Sequence, residues 1–326
     1  MKLSGTTSPF SLSWARKIST SSTSDHDASS CGTGTIRDLL PNAFSPEGSG
    51  WSPEYEQPSL PISDIKIVSW NVDFMAPEPA DRVSCILDHL KTVILTDSSQ
   101  PTVILLQELR QASFEAVLEN RWVREHFAVV PPNAGFWPGR YGLATLVSRH
   151  IPIQKAQMLH FHETRMDRTA LFVDVLLQTE DANSEQPTSR SVRIANTHLE
   201  SLAEGERARP VQLSAIAAML RQSGIHAGIV GGDMNMILTT DREIHVAAGL
   251  HDAGTDDPAA NTWGYQSRRR AWKAKRLDRV FYTPTPGLVV QPVEVVGKGL
   301  KTERGEWASD HYAIQTSIAL RGEDKS

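Results

Sequence analysis

Residues 226–237 read HAGIVGGDMNMI, and residues 307–320 read WASDHYAIQTSIAL. Each sets an acid and a second polar group against the end of an apolar, strand-like run: Asp233 and Asn235 after HAGIV, Asp310 and His311 before YAIQTSIAL. Further words share this form. IKIVSWN (65–71) ends on Asn71, TVILLQE (102–108) ends on Glu108, VRIANTHLES (192–201) delivers His198, Glu200 and Ser201, and LDRVFY (277–282) opens on Asp278. Carboxylates at strand ends, where a sheet opens to solvent, are where a metal-assisted hydrolase places them.

Each word has a chemical reading and a plain structural one. Glu108 follows a run of apolar residues, where a charge needs a partner; it suits a divalent cation, or it caps a following helix. Asp233 and Asn235, two apart, share one side of an extended backbone. There Asp233 can orient or deprotonate water and Asn235 can donate to phosphoryl oxygens, while Gly231-Gly232-Asp233 is also good turn chemistry. His311 can donate to an anion if a carboxylate favours its cation, and Asp310-His311 alone also suits a solvated strand end. His198 and Ser201 can hydrogen-bond phosphate, and Asn71 can fix Glu108 or a metal-bound water. Trp70 is expected in the core. Trp263 is expected in a substrate groove, where an indole offers a stacking face. Arg268, Arg269, Arg270, Lys273, Lys275 and Arg276, with Trp272 among them, form the one dense basic run and are expected at the site's rim, on phosphates. His160 and His162 have metal-pair spacing without a third ligand nearby and are read as incidental.

Around these words the chain divides in two. Residues 1–60 hold 14 serines with scattered Gly and Pro, a composition with too little apolar surface to offset ordering entropy. They are expected to be a disordered tail, with the globular catalytic domain over 61–322. Residues 1–24 carry Lys2, Arg16 and Lys17 and no acid, faintly like a mitochondrial transit peptide; the main expectation is a nuclear or cytoplasmic protein. Helical spacing marks 81–95 (Val83, Ile86, Leu87, Leu90, Val93, Ile94) and 204–222 (Leu213, Ile216, Ala217, Leu220). Strands are expected at 65–71, 102–107, 127–131, 142–148, 169–178, 191–198, 226–231, 277–282, 288–296 and 312–320, with a hairpin loop at 179–190. Many strands with few helices between them fit two packed sheets with helices outside.

Composition sets bounds. A net charge of −5 marks no nucleic-acid surface over the whole chain, though an enzyme reading a few nucleotides at a strand end needs none. No apolar run approaches the ~20 residues of a membrane span. The two cysteines, Cys31 and Cys85, make no disulfide framework, which favours a reducing compartment.

The ordered set Asn, Glu, His, Asp-x-Asn, Asp, Asp-His resembles the endonuclease/exonuclease/phosphatase superfamily, with the fold of deoxyribonuclease I. Within it, THLES, GGDMN, Thr262-Trp263, RLDRVFY, ASDHYA and TRMDRTAL (164–171) resemble the tyrosyl-DNA phosphodiesterase 2 branch, over roughly residues 64–320. Two positions depart from that branch: Ile237 stands where it commonly has Arg, and Tyr312 where it has Trp. The resemblance implies an α/β fold, a four-layer α/β/β/α sandwich of two mixed, mainly antiparallel sheets. It implies Mg²⁺, or Mn²⁺, held by Glu108 with Asp310 on the metal side. It also implies catalytic roles for Asp233, Asn235, His311, Asp278 (on the second nitrogen of His311), His198 and Asn71, and substrate contacts from Ser201, Trp263, Arg168 and Arg270. The expected activity is hydrolysis of 5′-tyrosyl-DNA phosphodiesters in DNA repair, by a monomer acting on DNA 5′ ends that carry a protein adduct, without membrane insertion. The alternatives are a general nuclease, a small phosphoester hydrolase of the inositol phosphate or sphingomyelin type, and, last, a non-catalytic binding module.

Overall fold

The computed structural model describes residues 28–48, 50–58, 62–180, 188–266 and 273–322. Its strands form two sheets, because short runs rich in Val, Ile and Leu, such as 103–106, bury both faces at once. The first sheet runs from edge to edge through Ala28–Cys31 (β1), Gly34–Leu39 (β2), Ile153–Phe161 (β9), Thr169–Glu180 (β10), Ser189–His198 (β11), Ala227–Asp233 (β12), Asp278–Tyr282 (β14) and His251–Asp252 (β13). The second runs through Gly50–Ser52 (β4), Asn42–Ser45 (β3), Phe127–Val130 (β7), Tyr141–Ser148 (β8), Thr102–Arg110 (β6), Asp64–Asn71 (β5) and Ala313–Arg321 (β17). Leu288–Val290 (β15) and Glu294–Val296 (β16) both pair with β17.

Pairing is antiparallel except for β5 with β6, β11 with β12, and a short contact at Thr179 and Glu180 that joins β10 to β17. The sheets pack face to face, with β10, β11 and β12 against β5, β6 and β8. Pro79–His89 (α1), Gln111–Glu119 (α2) and Arg121–His126 (α3) cover the second sheet, while Ala208–Leu220 (α4) and Ile244–Ala247 (α5) cover the first. This is the four-layer α/β/β/α sandwich expected from the sequence. Leu105, Ile194 and Ile229 fill the space between sheets, and Leu213, Ile216 and Leu220 of α4 pack with Phe172 and Phe281.

Several expectations need correction. Residues 1–60 are not a disordered tail throughout: β2 pairs along β9 and β3 pairs with β7, with Ile36, Leu39 and Ala43 buried. The serine-rich average hid this segment, for residues 34–44 contain no serine. A strand added to an existing sheet edge needs few apolar residues of its own, because its neighbours supply the core. The run 288–296 is two strands on one partner rather than one. The chain after α1 widens into a π-type turn over Leu90–Ile94, closed by Leu95 N–H to Leu90 O at 2.7 Å. That extra residue rotates Val93 off the apolar face to 60% exposure. Strand β9 and helices α2 and α3 were not expected from the sequence. Most of the expected hairpin loop at 179–190 lies outside the described residues, between the antiparallel pair β10 and β11. Among the described residues, no helix is long and apolar enough to cross a membrane.

Candidate active site

Topology brings the strand-end words to one rim. The parallel pair β5/β6 ends on Asn71 and Gln107, with Glu108 next in the chain, and the parallel pair β11/β12 ends in register on His198 and Asp233. The antiparallel neighbours start at that rim. Asp278 opens β14 opposite Asp233, and His311 precedes β17, which runs against β5. Parallel C-termini and antiparallel N-termini thus converge, and the side chains between the two sheets become one cluster.

Asn71 is its centre. Wholly buried, it donates through Nδ2 to Oε1 of Glu108 and to Oδ2 of Asp233, 3.0 Å each. Its Oδ1 accepts from Asp73 N–H at 3.1 Å, which fixes the amide's orientation. Glu108 sits where β6 slips register between Leu106 and Leu109, at φ +63°. This bulge turns a side chain out of an otherwise buried strand. Its Oε2 accepts from Phe74 N–H at 2.9 Å. Burial, with Asp310 adding repulsion, pushes the carboxyl up to about 7 against the hydrogen bonds from Asn71 and Phe74.

Asp233 accepts from Asn235 N–H at 2.9 Å and faces two imidazoles, Nε2 of His198 at 3.4 Å and Nε2 of His311 at 3.8 Å. Burial, with Asp278 adding repulsion, raises it to about 6 against the charge of His311. The two histidines differ in character. His311 Nδ1 lies 2.7 Å from Asp278 Oδ2, inside the protein. Burial opposes its charge, but Asp278, Asp310 and Asp233 outweigh burial and hold it well above the usual histidine range. It is an imidazolium whose Nε2–H faces the cluster. His198 Nδ1 lies 2.9 Å from NH1 of Arg168. A guanidinium only donates, so Nδ1 accepts and the remaining proton sits on Nε2. Burial, then Arg168 and His311, keep this ring well below the usual range. It is a neutral donor.

That assignment bears on metal binding. Glu108, His198 and Asp233 place potential ligand atoms within 4.8 Å of one another, but an Nε2 that carries hydrogen is not a ligand. What remains is an all-oxygen set, the carboxylates of Glu108 and Asp233 with Asp310 nearby. Such a set fits a hard divalent cation. Asp310 has a half-open side chain, 46% exposed, and its Oδ2 accepts from Trp263 Nε1 at 3.0 Å. The indole expected as a stacking face therefore also anchors a carboxylate.

The other expected residues fall as follows. Ser201 Oγ accepts from Arg168 NH2 at 2.6 Å, so both join the cluster beside His198. Asn235 is not on an extended backbone: the strand ends at Asp233, φ at Asn235 is +47°, and Nδ2 donates to Leu199 O at 3.1 Å. Trp70 is core, its indole donating to His311 O at 3.1 Å. Arg268, Arg269, Arg270 and Trp272 lie outside the described residues. Two members of the basic run are structural. Arg276 is buried and forked onto Asp252 at 2.8 and 2.5 Å, and Lys275 Nζ donates to Ile237 O at 2.9 Å. His162 bonds Thr35 at 3.3 Å, outside the cluster.

Sequence reasoning missed three participants. Asp73, two residues after Asn71, is pushed up to about 6 by burial and by Asp310. Tyr141 begins β8 and stacks on Phe74 with ring centroids 4.0 Å apart, while the Arg168 guanidinium lies 5.4 Å from the Tyr141 ring centre. Glu200, quoted in its word without a role, accepts from Thr164 Oγ1 at 2.8 Å and so holds the loop that carries Arg168. The Asn-x-Asp spacing and an aromatic residue at a strand start were the available signals. A cavity of about 270 Å³ adjoins the cluster on the Asp310 side, bordered by Asp73, Arg82, Gln266 and Trp307. A cleft of about 580 Å³ between Asp81, Cys85, His89 and Arg304 holds none of these residues.

Residues 68–311 match the model of the Endonuclease/Exonuclease/phosphatase family. A 5′-tyrosyl-DNA phosphodiesterase of Caenorhabditis briggsae is 26% identical over 284 residues, covering 81% of this chain and 73% of that protein. The Caenorhabditis elegans protein of the same name is 24% identical over 271 residues, covering 78% and 67%. Among solved structures, D. rerio TDP2 complexed with single strand DNA product superposes with a TM-score of 0.62 at 20% identity, over 79% of this chain and 100% of that one. Truncated Caenorhabditis elegans TDP2 gives 0.61 at 21% identity, over 79% and 98%.

Proposed function

The chain belongs to the Endonuclease/Exonuclease/phosphatase family, and from that footing we propose that it hydrolyses the bond between a tyrosine oxygen and a 5′-phosphate on DNA. The observation that carries hydrolysis is the Asn71 amide shared by Glu108 and Asp233 with the His311 imidazolium facing them. The relatives named 5′-tyrosyl-DNA phosphodiesterase support the substrate. The aromatic–cation surface of Tyr141 and Arg168, beside the phosphate donors, supports an aromatic leaving group.

Glu108, with Asp310 alongside, would hold a divalent cation such as Mg²⁺, which when bound offsets phosphate charge. Asp233 orients a water and accepts its proton. The water oxygen attacks phosphorus, the bond from phosphorus to the tyrosine oxygen breaks, and the phenolate departs, later taking a proton from solvent. With a pKa near ~10 a phenol leaves without a strong general acid. His311 Nε2–H and His198 Nε2–H donate to the non-bridging oxygens, where charge grows. Asn71 keeps the two carboxylates from drifting apart. The products are a tyrosine side chain and a 5′-phosphate end. All these groups come from one chain, which supports action as a monomer.

The test is a divalent-metal-dependent assay on a 5′-tyrosyl oligonucleotide, plain duplex, sphingomyelin and inositol phosphates. The reading requires release of a 5′-phosphate from the first, abolished by EDTA. Preference for any of the others would replace it.

A further inference from the structure

Six residues other than glycine hold positive φ among those described: Asp73, Glu78, Glu108, Asp167, Leu202 and Asn235. Asp73, Glu108 and Asn235 belong to the cluster, and Asp167 precedes Arg168. Strained backbone that gathers at one place marks a functional site. Five of the six have polar side chains. Leu202 is the apolar exception, and its φ of 65° with ψ of 175° is a combination that essentially only glycine adopts.

The surroundings enforce this conformation. Leu202 O accepts from Arg209 NH1 at 2.8 Å and from Gly205 N–H at 3.3 Å. The same NH1 reaches Glu200 O at 3.0 Å, and the rest of the guanidinium is forked onto Asp241 at 2.8 and 2.9 Å. Arg209 and Asp241 are both buried. A buried ion pair thus clamps the two carbonyls that bracket Ser201. One outcome is the Ser201 hydroxyl at Arg168. The other is the Leu202 side chain in solvent, 58% exposed. A glycine there would relax the backbone, so the backbone conformation itself does not call for a leucine.

We infer that Leu202 is a specificity-determining residue that packs against the aromatic leaving group of the phosphodiester. The inference rests on the tyrosyl-DNA reading above. Leu202 follows Ser201, whose partner Arg168 lies over Tyr141, and Tyr141 stacks on Phe74. This flank of the cluster is aromatic and cationic. The Asp310 flank carries two carboxylates, Asp73 and Asp310, at the edge of its cavity. Leu202 is an exposed aliphatic side chain next in the chain to Ser201 on this flank, and would provide a further apolar wall for a phenol ring and nothing for a phosphate.

The test uses the full chain and two variants, Leu202→Gly, which removes contact and strain, and Leu202→Ala, which removes contact alone. Two substrates share one oligonucleotide: the 5′-tyrosyl ester and the 5′-phosphorofluoridate, whose leaving group is small and not aromatic. Both variants should lose roughly tenfold in kcat/KM on the tyrosyl ester, about the worth of one buried leucine contact, and stay within about twofold on the fluoridate. Leu202→Gly should melt at or above the wild-type temperature. Equal losses on both substrates, no loss on either, or a fall in melting temperature for both variants would overturn the assignment. A wild type inactive on the tyrosyl ester overturns the functional reading and this assignment with it, whereas an active wild type with unselective variants overturns the assignment alone.

Discussion

Nε2 of Gln107 donates to Oδ1 of Asn196 at 2.9 Å, across the space between the two sheets, with both side chains fully buried. Asn196 in turn donates to the carbonyls of Leu106 and Ala144, and Gln107 to Ser69 Oγ. This polar bridge lies one residue below Glu108 and two below His198, so it sets the spacing of the halves that carry the site. Asn196→Leu should take one acceptor from the Gln107 amide and the side-chain donor from two buried carbonyls, costing about 2–4 kcal/mol. Melting temperature should fall, and kcat should fall further than Tm alone explains at a temperature where the variant is folded. Circular dichroism with parallel kinetics measures both.

Glu108→Gln keeps the shape and the bond from Phe74 N–H but removes the charge that would hold a cation. Turnover should drop by at least about two orders of magnitude with the fold unchanged, and added Mg²⁺ should not restore it. Near-normal metal-dependent turnover in this variant would remove Glu108 from the metal site.

The pH profile should report His311. Its Nδ1 side is occupied by Asp278, so its Nε2 donates only while the ring is charged. Burial is outweighed by Asp278, Asp310 and Asp233, which hold the ring above its ordinary value. Charge and activity should therefore persist as pH rises past the ordinary histidine range and decline only above it. Asp278→Asn removes the nearest of these carboxylates and should shift the alkaline limb of kcat to lower pH. A limb that stays in place would mean another group titrates there.

Arg276 carries a prediction opposite to that for a DNA-backbone contact. It is buried on Asp252. Removing it takes away two charge-assisted bonds to Asp252 and a longer one to Asp256, and leaves Asp252 with Arg279 and the Gly254 N–H, a loss on the order of 3 kcal/mol. Arg276→Ala should lower melting temperature and leave the salt dependence of KM unchanged. A flatter salt slope with unchanged melting would place it on phosphate.

Deleting residues 1–60 removes β1 to β4 and with them the buried Ile36, Leu39 and Ala43. Two large aliphatic side chains alone are worth roughly 3–6 kcal/mol, which in a domain of this size is a fall of roughly ten degrees. Differential scanning calorimetry of full-length and truncated chains would show it. An unchanged transition would mean these strands add nothing to the core.

The site was legible because parallel strand ends concentrate polar residues. A buried run such as TVILL that stops on an acid points to a shared rim once five similar words accompany it. The sandwich was legible for the same reason, through the spacing of its apolar runs. What could not be read depends on contacts between distant segments. Nothing in TVILLQE announces the bulge that turns Glu108 outward, since the register slip is set by β8. Arg209 looks like a surface helix residue until Asp241 is brought to it. Ile36 and Leu39 look isolated until β9 offers its edge. The tautomer of His198 rests on Arg168, thirty residues away.

Strand β5 lies between β6 and β17, and Ser69 faces Ile314 across nearly the whole described length of the chain. On a ribosome, β5 emerges early and waits with one edge unpaired until Ala313–Arg321 has left the exit tunnel. His311 arrives on the same stretch. A chain without this stretch holds Asn71 and Glu108 but neither the imidazolium nor the closing strand, so its site is incomplete and β5 keeps an open edge. The strand that closes the second sheet and the imidazolium that completes the site are thus one stretch of chain, so sheet closure and hydrolytic competence arrive together.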